Sequence, residues 1–403
     1  MRRLYAIAVL AVLVAACGSG DTLPDDWSRA YQDPVLDGDL DQQMRAVIAT
    51  DAGLVAVGVD ESGGDHDAAV WTSADGMAWT RVPHDENIFG GPDNQWMWDV
   101  TTGPAGLVAV GFEGPPEQLH AAVWNSPDGE IWRRVPHDAE LFEVDGRAAM
   151  LGVTAGPDGY VAVGEIGPPD IDAAVWTSPD GTTWSRVPDN EVVLGGGGNG
   201  VATSPYESAI QSMSAVAWTG DRFVAVGLED DAAAVWISTD GTRWERVADP
   251  AGVFGGGIGS TAMRAVTTGG PGLVAVGNGS AVDRLTVAVW TSPDGVAWTR
   301  VEHDEAVFGG LGPPLVMSVA AGRGGVIAVG FDGEPDGVGD VALWTSPDGL
   351  TWTRVDTATL RAPHGQYGYD VVFHDGKVFV VGTDVTVVGV GVTDGRAAVW
   401  VGQ

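Results

Sequence analysis

The chain has 403 residues, of which 44% are hydrophobic, and it carries a formal net charge of -35. Its 20 basic residues include a single lysine, Lys377, against 55 acidic residues, which argues against nucleic-acid binding and against broad contact with an anionic membrane surface. The 60 glycines and 17 tryptophans are typical of many short strands joined by tight turns.

The N-terminal 23 residues predict export and anchoring. Two arginines precede an apolar run over residues 4–16, which is too short to span a bilayer comfortably, because a helix needs ~20 residues for that. The run ends in Val14-Ala15-Ala16-Cys17, which resembles the lipobox of bacterial lipoproteins, and Cys17 is the only cysteine. We predict a signal peptide over 1–16, lipidation of Cys17 and a tether over 17–23, which would place the protein outside the cytoplasm on the cell membrane. The alternative is a plain secretory signal with an incidental cysteine.

Residues 24–403 consist of successive copies of one structural unit. Each copy has an apolar strand, a second strand close to G-L-V-A-V-G, a variable acidic loop, a third strand ending in A-V-W, and a turn that leads into W-x-R-V. The turn motif, S-x-D-G-x-x-W, occurs six times, with starts 52 to 60 residues apart, at Ser73, Ser126, Ser178, Ser238, Ser292 and Ser346. Four short strands in each repeat of this length match one blade of a β-propeller.

The seventh copy is incomplete, because the chain ends three residues after Trp400. The missing strand has its counterpart near the N-terminus, where Asp25-Asp26-Trp27-Ser28-Arg29 echoes Asp180 and Trp184-Ser185-Arg186. We therefore predict an all-β, seven-bladed propeller of four-stranded antiparallel blades, in which the N-terminal strand closes the last blade and leaves no open edge.

The turn motif resembles the Asp-box, or BNR repeat, of sialidases, sortilin-like receptors and other bacterial propellers. The usual spacing, S-x-D-x-G-x-x-W, differs slightly, since here glycine follows aspartate directly. The resemblance implies a structural turn on the face away from any ligand site. Its six aspartates are then structural, because they can accept N–H bonds within the turn: Asp75, Asp128, Asp180, Asp240, Asp294 and Asp348.

Sialidase chemistry requires more than this turn. The resemblance implies an arginine triad, a Tyr/Glu nucleophile pair and an acid-base aspartate. The three R-V-P segments, which begin at Arg81, Arg134 and Arg186, each end a W-x-R-V strand, so their repetition indicates structure. Only Arg45 and Arg264 qualify as inner arginines, and no catalytic residue is assigned.

Departures from the repeat give the candidate ligand-binding residues. Trp96 and Trp98 replace small or polar residues on one innermost strand, while Asp99 and Asp370 replace Ala, Gly or Ser of other copies. Tyr367 and Tyr369 lie at the matching place in the seventh copy. If the ring closes, these residues flank the first copy and could form a platform for a sugar or peptide; alternatively, they fill the funnel of a glycine-rich ring.

Histidines beside carboxylates recur in the loops, at His84-Asp85-Glu86, His137-Asp138 and His303-Asp304-Glu305. Such groups can ligate metals, but seven-fold placement spreads them around a ring, so a structural or solvated role is favoured. The acidic loops offer oxygen ligands for calcium without a calcium-loop spacing. We expect no cofactor, with calcium as the one candidate.

The function that these features favour is a monomeric, lipid-anchored binding module for an envelope protein or glycan, without catalysis. Two alternatives stay open: a sialidase-like, glycan-directed hydrolase using carboxylates at the channel mouth, and a structural scaffold of an envelope complex.

Overall fold

A computed structural model of the chain describes residues 23–30, 41–62, 64–115, 118–144, 146–167, 171–190, 192–195, 210–249, 251–255, 261–281, 284–310, 312, 314–333, 339–356, 358–361, 365–387 and 393–403. The predicted signal peptide over 1–16, Cys17 and nearly all of the tether lie outside these residues. They stay predictions.

The described residues form seven four-stranded antiparallel sheets. The first strand, β1 (Trp27–Arg29), belongs to the last sheet. Blades 1 and 2 comprise β2 (Gln42–Thr50), β3 (Gly53–Asp60), β4 (Asp67–Ser73), β5 (Thr80–Arg81), and β6 (Asn94–Gly103), β7 (Gly106–Gly114), β8 (His120–Ser126), β9 (Arg133–Arg134). Blades 3 and 4 comprise β10 (Arg147–Gly156), β11 (Gly159–Gly167), β12 (Asp172–Ser178), β13 (Ser185–Arg186), and β14 (Gln211–Trp218), β15 (Phe223–Glu229), β16 (Ala232–Ser238), β17 (Glu245–Arg246).

The remaining blades have the same order. Blades 5 and 6 comprise β18 (Ala262–Gly269), β19 (Gly272–Ala281), β20 (Arg284–Ser292), β21 (Thr299–Arg300), and β22 (Pro314–Gly322), β23 (Gly325–Gly333), β24 (Gly339–Ser346), β25 (Thr353–Val355). Blade 7 comprises β26 (Gly365–His374), β27 (Lys377–Val387) and β28 (Thr393–Gly402), with β1. Two short α-helices, α1 (Ala139–Phe142) and α2 (Glu305–Phe308), and a 3-10 helix (Ala358–Leu360) lie in loops between blades. No helix among the described residues has the length and apolar character needed to cross a membrane.

The N-terminal strand closes the ring as predicted. Trp27 lies opposite Gly402 and Arg29 lies opposite Trp400 in an antiparallel register. The Ala30 N–H donates to the Val399 carbonyl at 3.0 Å. Trp27 is 6% exposed, so closure buries a large apolar ring as well as pairing the backbone. The predicted fold class is confirmed.

Tryptophans tie neighbouring blades together. The indoles that end the third strands are fully buried. In five copies the indole N–H donates to a carbonyl of the preceding inter-blade loop, for example from Trp124 to Ile88 at 2.7 Å and from Trp344 to Val307 at 2.8 Å. In these five blades the A-V-W strand therefore supports its own blade and anchors the loop that arrives from its neighbour.

The arginine of W-x-R lies on the same side of the blade as this indole. Its guanidinium lies 4.9–5.8 Å from the indole centroid in six blades. In blade 1 the Arg81 guanidinium also pairs with Asp60 at 2.7 Å. These contacts agree with the structural role expected for the R-V-P segments.

Candidate functional site

The inner strands of the seven blades surround a central channel. Each of them has one bulge in its register against the second strand, at which one residue has no partner. These seven unpaired residues all line a cavity of about 180 Å³: Arg45, Trp98, Leu151, Ser214, Arg264, Met317 and Tyr369. A single extra residue per strand therefore sets the chemistry of the channel wall.

The glycine that ends the apolar part of each second strand makes room for the bulge. A Cβ at Gly58 would lie 1.9 Å from the Gln43 carbonyl oxygen, and one at Gly111 would lie 1.9 Å from that of Trp96. Neither distance is compatible with a side chain, because both contacts are to backbone. The recurring final glycine of G-L-V-A-V-G thus has a steric cause.

An arginine and three aromatic rings form the mouth cluster: Arg45, Trp96, Trp98 and Tyr369. The Arg45 guanidinium carbon lies 5.1 Å, 5.0 Å and 4.2 Å from the three ring centroids, in that order. These distances are within the range of cation–π attraction. Arg45 also donates to Gln43 Oε1 at 2.7 Å, and burial lowers the pKa of the guanidinium.

The mouth cluster lies on three consecutive blades of the ring. Tyr369 comes from blade 7, Arg45 from blade 1, and the two tryptophans from blade 2. Trp96 also stacks on Phe112, with centroids 6.1 Å apart. Ring closure is what brings Tyr369 beside residues that precede it by more than 260 positions.

Asp99 and Asp370 lie deeper, and both bind backbone. Asp99 accepts the N–H of Val100 in its own blade and that of Val153 in blade 3, each at 2.8 Å. Asp370 repeats the geometry, accepting from Val371 and from Val47 in blade 1, each at 2.8 Å. Each carboxylate therefore bridges two adjacent inner strands.

The pKa values of the same two carboxylates are strongly raised. Burial raises the pKa of Asp99 to about 7, against the lowering effect of its N–H bonds, and the negative charge of Asp370 adds to the rise. Burial raises the pKa of Asp370 to about 6, opposed by the Ser318 hydroxyl, which donates at 2.5 Å, and by the two N–H bonds. Desolvation is thus the dominant effect on both groups.

Tyr367 is separate from the mouth cluster. Its ring packs edge-on against Phe331 of blade 6, with centroids 4.8 Å apart. Of the six residues predicted to bind ligand, the structure gathers Trp96, Trp98 and Tyr369, places Asp99 and Asp370 beneath them, and directs Tyr367 toward blade 6. Their role in binding stays a prediction.

The loop histidines lie between blades. His84 approaches Glu86 at 3.2 Å and Asp67 at 3.8 Å, and these three residues could hold one metal ion. The adjacent aspartates have structural roles: Asp138 caps α1 and Asp304 caps α2 by accepting an N–H two residues later. Calcium binding stays a prediction.

The six S-x-D-G-x-x-W turns lie on the opposite face, at the ends of the third strands. Asp180 Oδ1 accepts the N–H groups of Thr182 and Thr183 at 2.8 and 2.7 Å, while the Trp184 indole donates to the Gly181 carbonyl at 3.2 Å. The other five turns repeat these contacts. The N–H bonds hold the pKa of Asp180 well below its usual range.

No protein-family model matches the sequence, and no curated relative does either. Solved structures are similar in fold. A polysaccharide lyase, Uly1, has a TM-score of 0.52 and 12% identity over 89% of this chain and 90% of its own. A periplasmic gluconolactonase of Pseudomonas aeruginosa has a TM-score of 0.50 and 12% identity over 89% of this chain and 96% of its own. A Lactobacillus plantarum protein has a TM-score of 0.50 and 12% identity over 87% and 93%. At these identities the similarity establishes the propeller fold alone.

Proposed function

We propose that this protein is an exported, lipid-anchored β-propeller that binds a ligand at the mouth of its central channel without transforming it. The observation that carries the proposal is the mouth cluster itself. Concave sites lined by aromatic rings with a few fixed polar groups are typical of ligand binding. Here Arg45 is fixed by three rings and by Gln43, and both tryptophans keep part of their surface exposed.

The ligand class that fits this surface is a sugar or a short peptide. Both can place an apolar face against an indole, and both carry carbonyl or hydroxyl oxygens for an arginine. Export is proposed from the N-terminal sequence. The periplasmic description of the similar Pseudomonas aeruginosa protein is in keeping with it.

A glycan-directed hydrolase is the second candidate, favoured by the raised pKa values of Asp99 and Asp370. A glycosidase needs one carboxylic acid to protonate the leaving group and a second carboxylate to act as base or nucleophile. In this structure, however, both oxygens of each carboxylate accept backbone N–H bonds. This arrangement supports an inter-blade structural role over proton transfer to a substrate.

The test combines binding and turnover. The full chain in detergent is titrated with a panel of oligosaccharides and short peptides while tryptophan emission is followed, and the same mixtures are assayed for products. We expect saturable binding that is lost in Trp98→Ala, with no product. Trp218→Ala is the matched control, because Trp218 ends the inner strand of blade 4 and packs on Phe223.

Two results would contradict the proposal. Product formation that Asp99→Asn abolishes would establish the hydrolase. Absence of binding across the panel, together with a stable complex with one envelope protein after crosslinking in the native membrane, would favour the scaffold.

A further inference from the structure

The chain enters the propeller on the face that carries the S-x-D-G-x-x-W turns, which we name the turn face. Third strands end on this face, and Gly402 ends β28 there. Trp27 lies opposite Gly402, so β1 starts at the turn face and runs toward the mouth. Pro24 packs on the same glycine, where an added Cβ would lie only 2.6 Å from Pro24 Cγ. The residues that precede β1 therefore come into the fold from the side opposite the mouth cluster.

The distance from this entry point to the proposed anchor is short. Six peptide units separate Cys17 from Leu23, and they can span at most ~20 Å. An orientation with the mouth against the bilayer would hold Leu23 at the height of a blade, which is ~30 Å for an inner strand of nine residues such as β2. A lipid on Cys17 can therefore insert when the turn face is toward the bilayer, and cannot when the mouth is.

The turn face also carries exposed apolar side chains. Six large apolar side chains are exposed in the described part of the chain. Four of them, which we name the apolar tips, lie between the glycine and the tryptophan of the turn motif: Met77, Ile131, Val296 and Leu350. Ile131 and Leu350 are 59% and 52% exposed. Single exposed apolar residues are ordinary on a protein surface, but recurrence in the same turn gives one face an apolar character.

The apolar tips lie on the blades nearest to blade 7, which contains β1. Blades 5 and 6 precede blade 7 in the ring, and blades 1 and 2 follow it, since blade 7 contacts blade 1 through Asp370 and Val47. Blades 3 and 4, on the far side of the ring, have polar residues at the same turn positions: Thr182, Thr183, Thr242 and Arg243. The apolar side of the turn face is therefore the side on which the chain enters.

Charge restricts the kind of surface that this face fits. Each turn with an apolar tip also contains the motif aspartate, as Asp75 accepts the N–H groups of Met77 and Ala78 at 2.9 and 3.0 Å. These bonds hold the pKa of Asp75 below its usual range, so its carboxylate stays ionised beside the tip. Anionic lipids would be repelled by such carboxylates. The headgroup region of a zwitterionic bilayer can instead take up apolar side chains that lie next to charged ones.

We propose that the turn face rests on the bilayer that holds the Cys17 lipid, with the four apolar tips inserted among the headgroups of zwitterionic lipids. The lipid attaches the protein, and the tips fix its orientation. The mouth cluster then faces away from the membrane, where a ligand can reach it. The inference rests on the lipid anchor of the proposed function and adds the surface on which the anchored protein sits.

The test places one fluorescent label on each face. The lipidated full chain is prepared as Val296→Cys and as Val192→Cys, and only the introduced thiol reacts with a nitrobenzoxadiazole label because the lipid occupies the Cys17 sulfur. Val192 is an exposed valine in the loop between blades 3 and 4, so the two variants match in residue type and differ in face. Each labelled protein is bound to phosphatidylcholine vesicles with and without nitroxide-labelled phosphatidylcholine.

We expect the nitroxide lipid to quench the label at position 296 about threefold more than the label at position 192. Replacement of the other three apolar tips by serine in the Val296→Cys chain should remove about half of this quenching or more, while the lipid keeps the protein on the vesicles. Leu285→Ser in the same chain is the matched control and should leave the quenching unchanged. Leu285 is an exposed leucine at the end of β20 away from the turn.

Three results would overturn the inference. Equal quenching at the two positions, or stronger quenching at position 192, in protein that the vesicles retain would overturn it and leave the anchor intact. Self-quenching of the position 296 label at rising protein density, without nitroxide lipid, would show that a second copy covers the turn face. Protein that is not retained, with an unmodified Cys17 by mass spectrometry, would contradict the anchor and the inference together. Ligand binding at the mouth is measured separately and does not depend on the orientation.

Discussion

Removal of strand β1 should open the ring. A chain that begins at Tyr31 lacks Trp27 and the residues that pair with β28, whereas a chain that begins at Leu23 keeps them. Without β1, blade 7 keeps three strands, and β28 has an unpaired edge. The two truncated chains differ by eight residues, 23–30, so the comparison isolates the closing strand.

The expected loss in the free energy of unfolding follows from the contacts that β1 makes. Loss of a buried tryptophan costs ~3–5 kcal/mol, and Trp27 is 6% exposed. Each lost backbone hydrogen bond adds ~1 kcal/mol, and those from Ala30 to Val399 and from Gln403 to Asp26 are among them. The total is at least ~5 kcal/mol. With an unfolding entropy of ~2.1 cal/mol/K per residue, it corresponds to a fall in melting temperature of ~6 °C for a propeller of this length.

The assay is thermal unfolding of both truncated chains, followed by intrinsic fluorescence. The chain beginning at Leu23 should have the same melting temperature as the full protein. The chain beginning at Tyr31 should have a melting temperature several degrees lower. Trp27→Ala should reproduce most of the loss in the full chain, while Ser28→Ala, at an exposed position of the same strand, should not. Equal melting temperatures for the two truncated chains would refute closure by β1.

Three further predictions concern stability. Gly164→Ala should cost ~3 kcal/mol or more in the free energy of unfolding, because its Cβ would lie 1.9 Å from the Ala149 carbonyl oxygen; denaturant midpoints measure this. Asp128→Ala should cost ~1–2 kcal/mol through two lost N–H bonds and leave ligand binding unchanged, with Glu130→Ala as the control; weakened binding would contradict the assignment of the opposite face as the site. Burial raises the pKa of Asp99 to about 7, so the folded protein binds a proton at Asp99 more tightly than the unfolded chain does. The stability that this proton contributes is fully present below pH ~4 and is lost as pH rises through 7. The wild type should therefore lose up to ~4 kcal/mol relative to Asp99→Asn over that range, and parallel pH profiles of the two would argue against the shift.

Much of the fold could be predicted from the sequence because its determinants recur. The A-V-W and W-x-R tryptophans fix the register of each blade, and the half-copy at Trp27 predicts closure. Repetition also distinguishes structural residues from candidate catalytic ones. The arginines of the R-V-P segments belong to outer strands, where Arg81 and Arg134 stack on indoles.

Less of the candidate site can be predicted from the sequence. Departures from the repeat indicate Trp96, Trp98 and Tyr369, but their assembly around Arg45 depends on closure of the ring. The roles of Asp99 and Asp370 as inter-blade acceptors depend on a bulge, which residue types alone do not reveal. The sequence does carry one signal of the bulge: in five copies the bulge residue follows a methionine, as Arg45 follows Met44 and Arg264 follows Met263.

The contribution of Val47 and Val153 to the channel wall could not have been predicted from side chains, because it is a backbone N–H that a carboxylate of the neighbouring blade accepts. Valine recurs at this position in every copy, and the sequence pattern predicts only an ordinary apolar core residue there. Only the register of the inner strands, together with the contacts of Asp99 and Asp370, shows which way those N–H groups point.

The central claim is that the channel mouth binds a ligand and leaves it unchanged. The most direct measurement is equilibrium dialysis of the full chain against the sugar and peptide panel, with mass spectrometry of the ligand before and after overnight incubation. We predict that at least one ligand is retained by the wild type, released by Trp98→Ala and recovered intact. Recovery of a cleaved ligand, or equal retention by the wild type and Trp98→Ala, would contradict it.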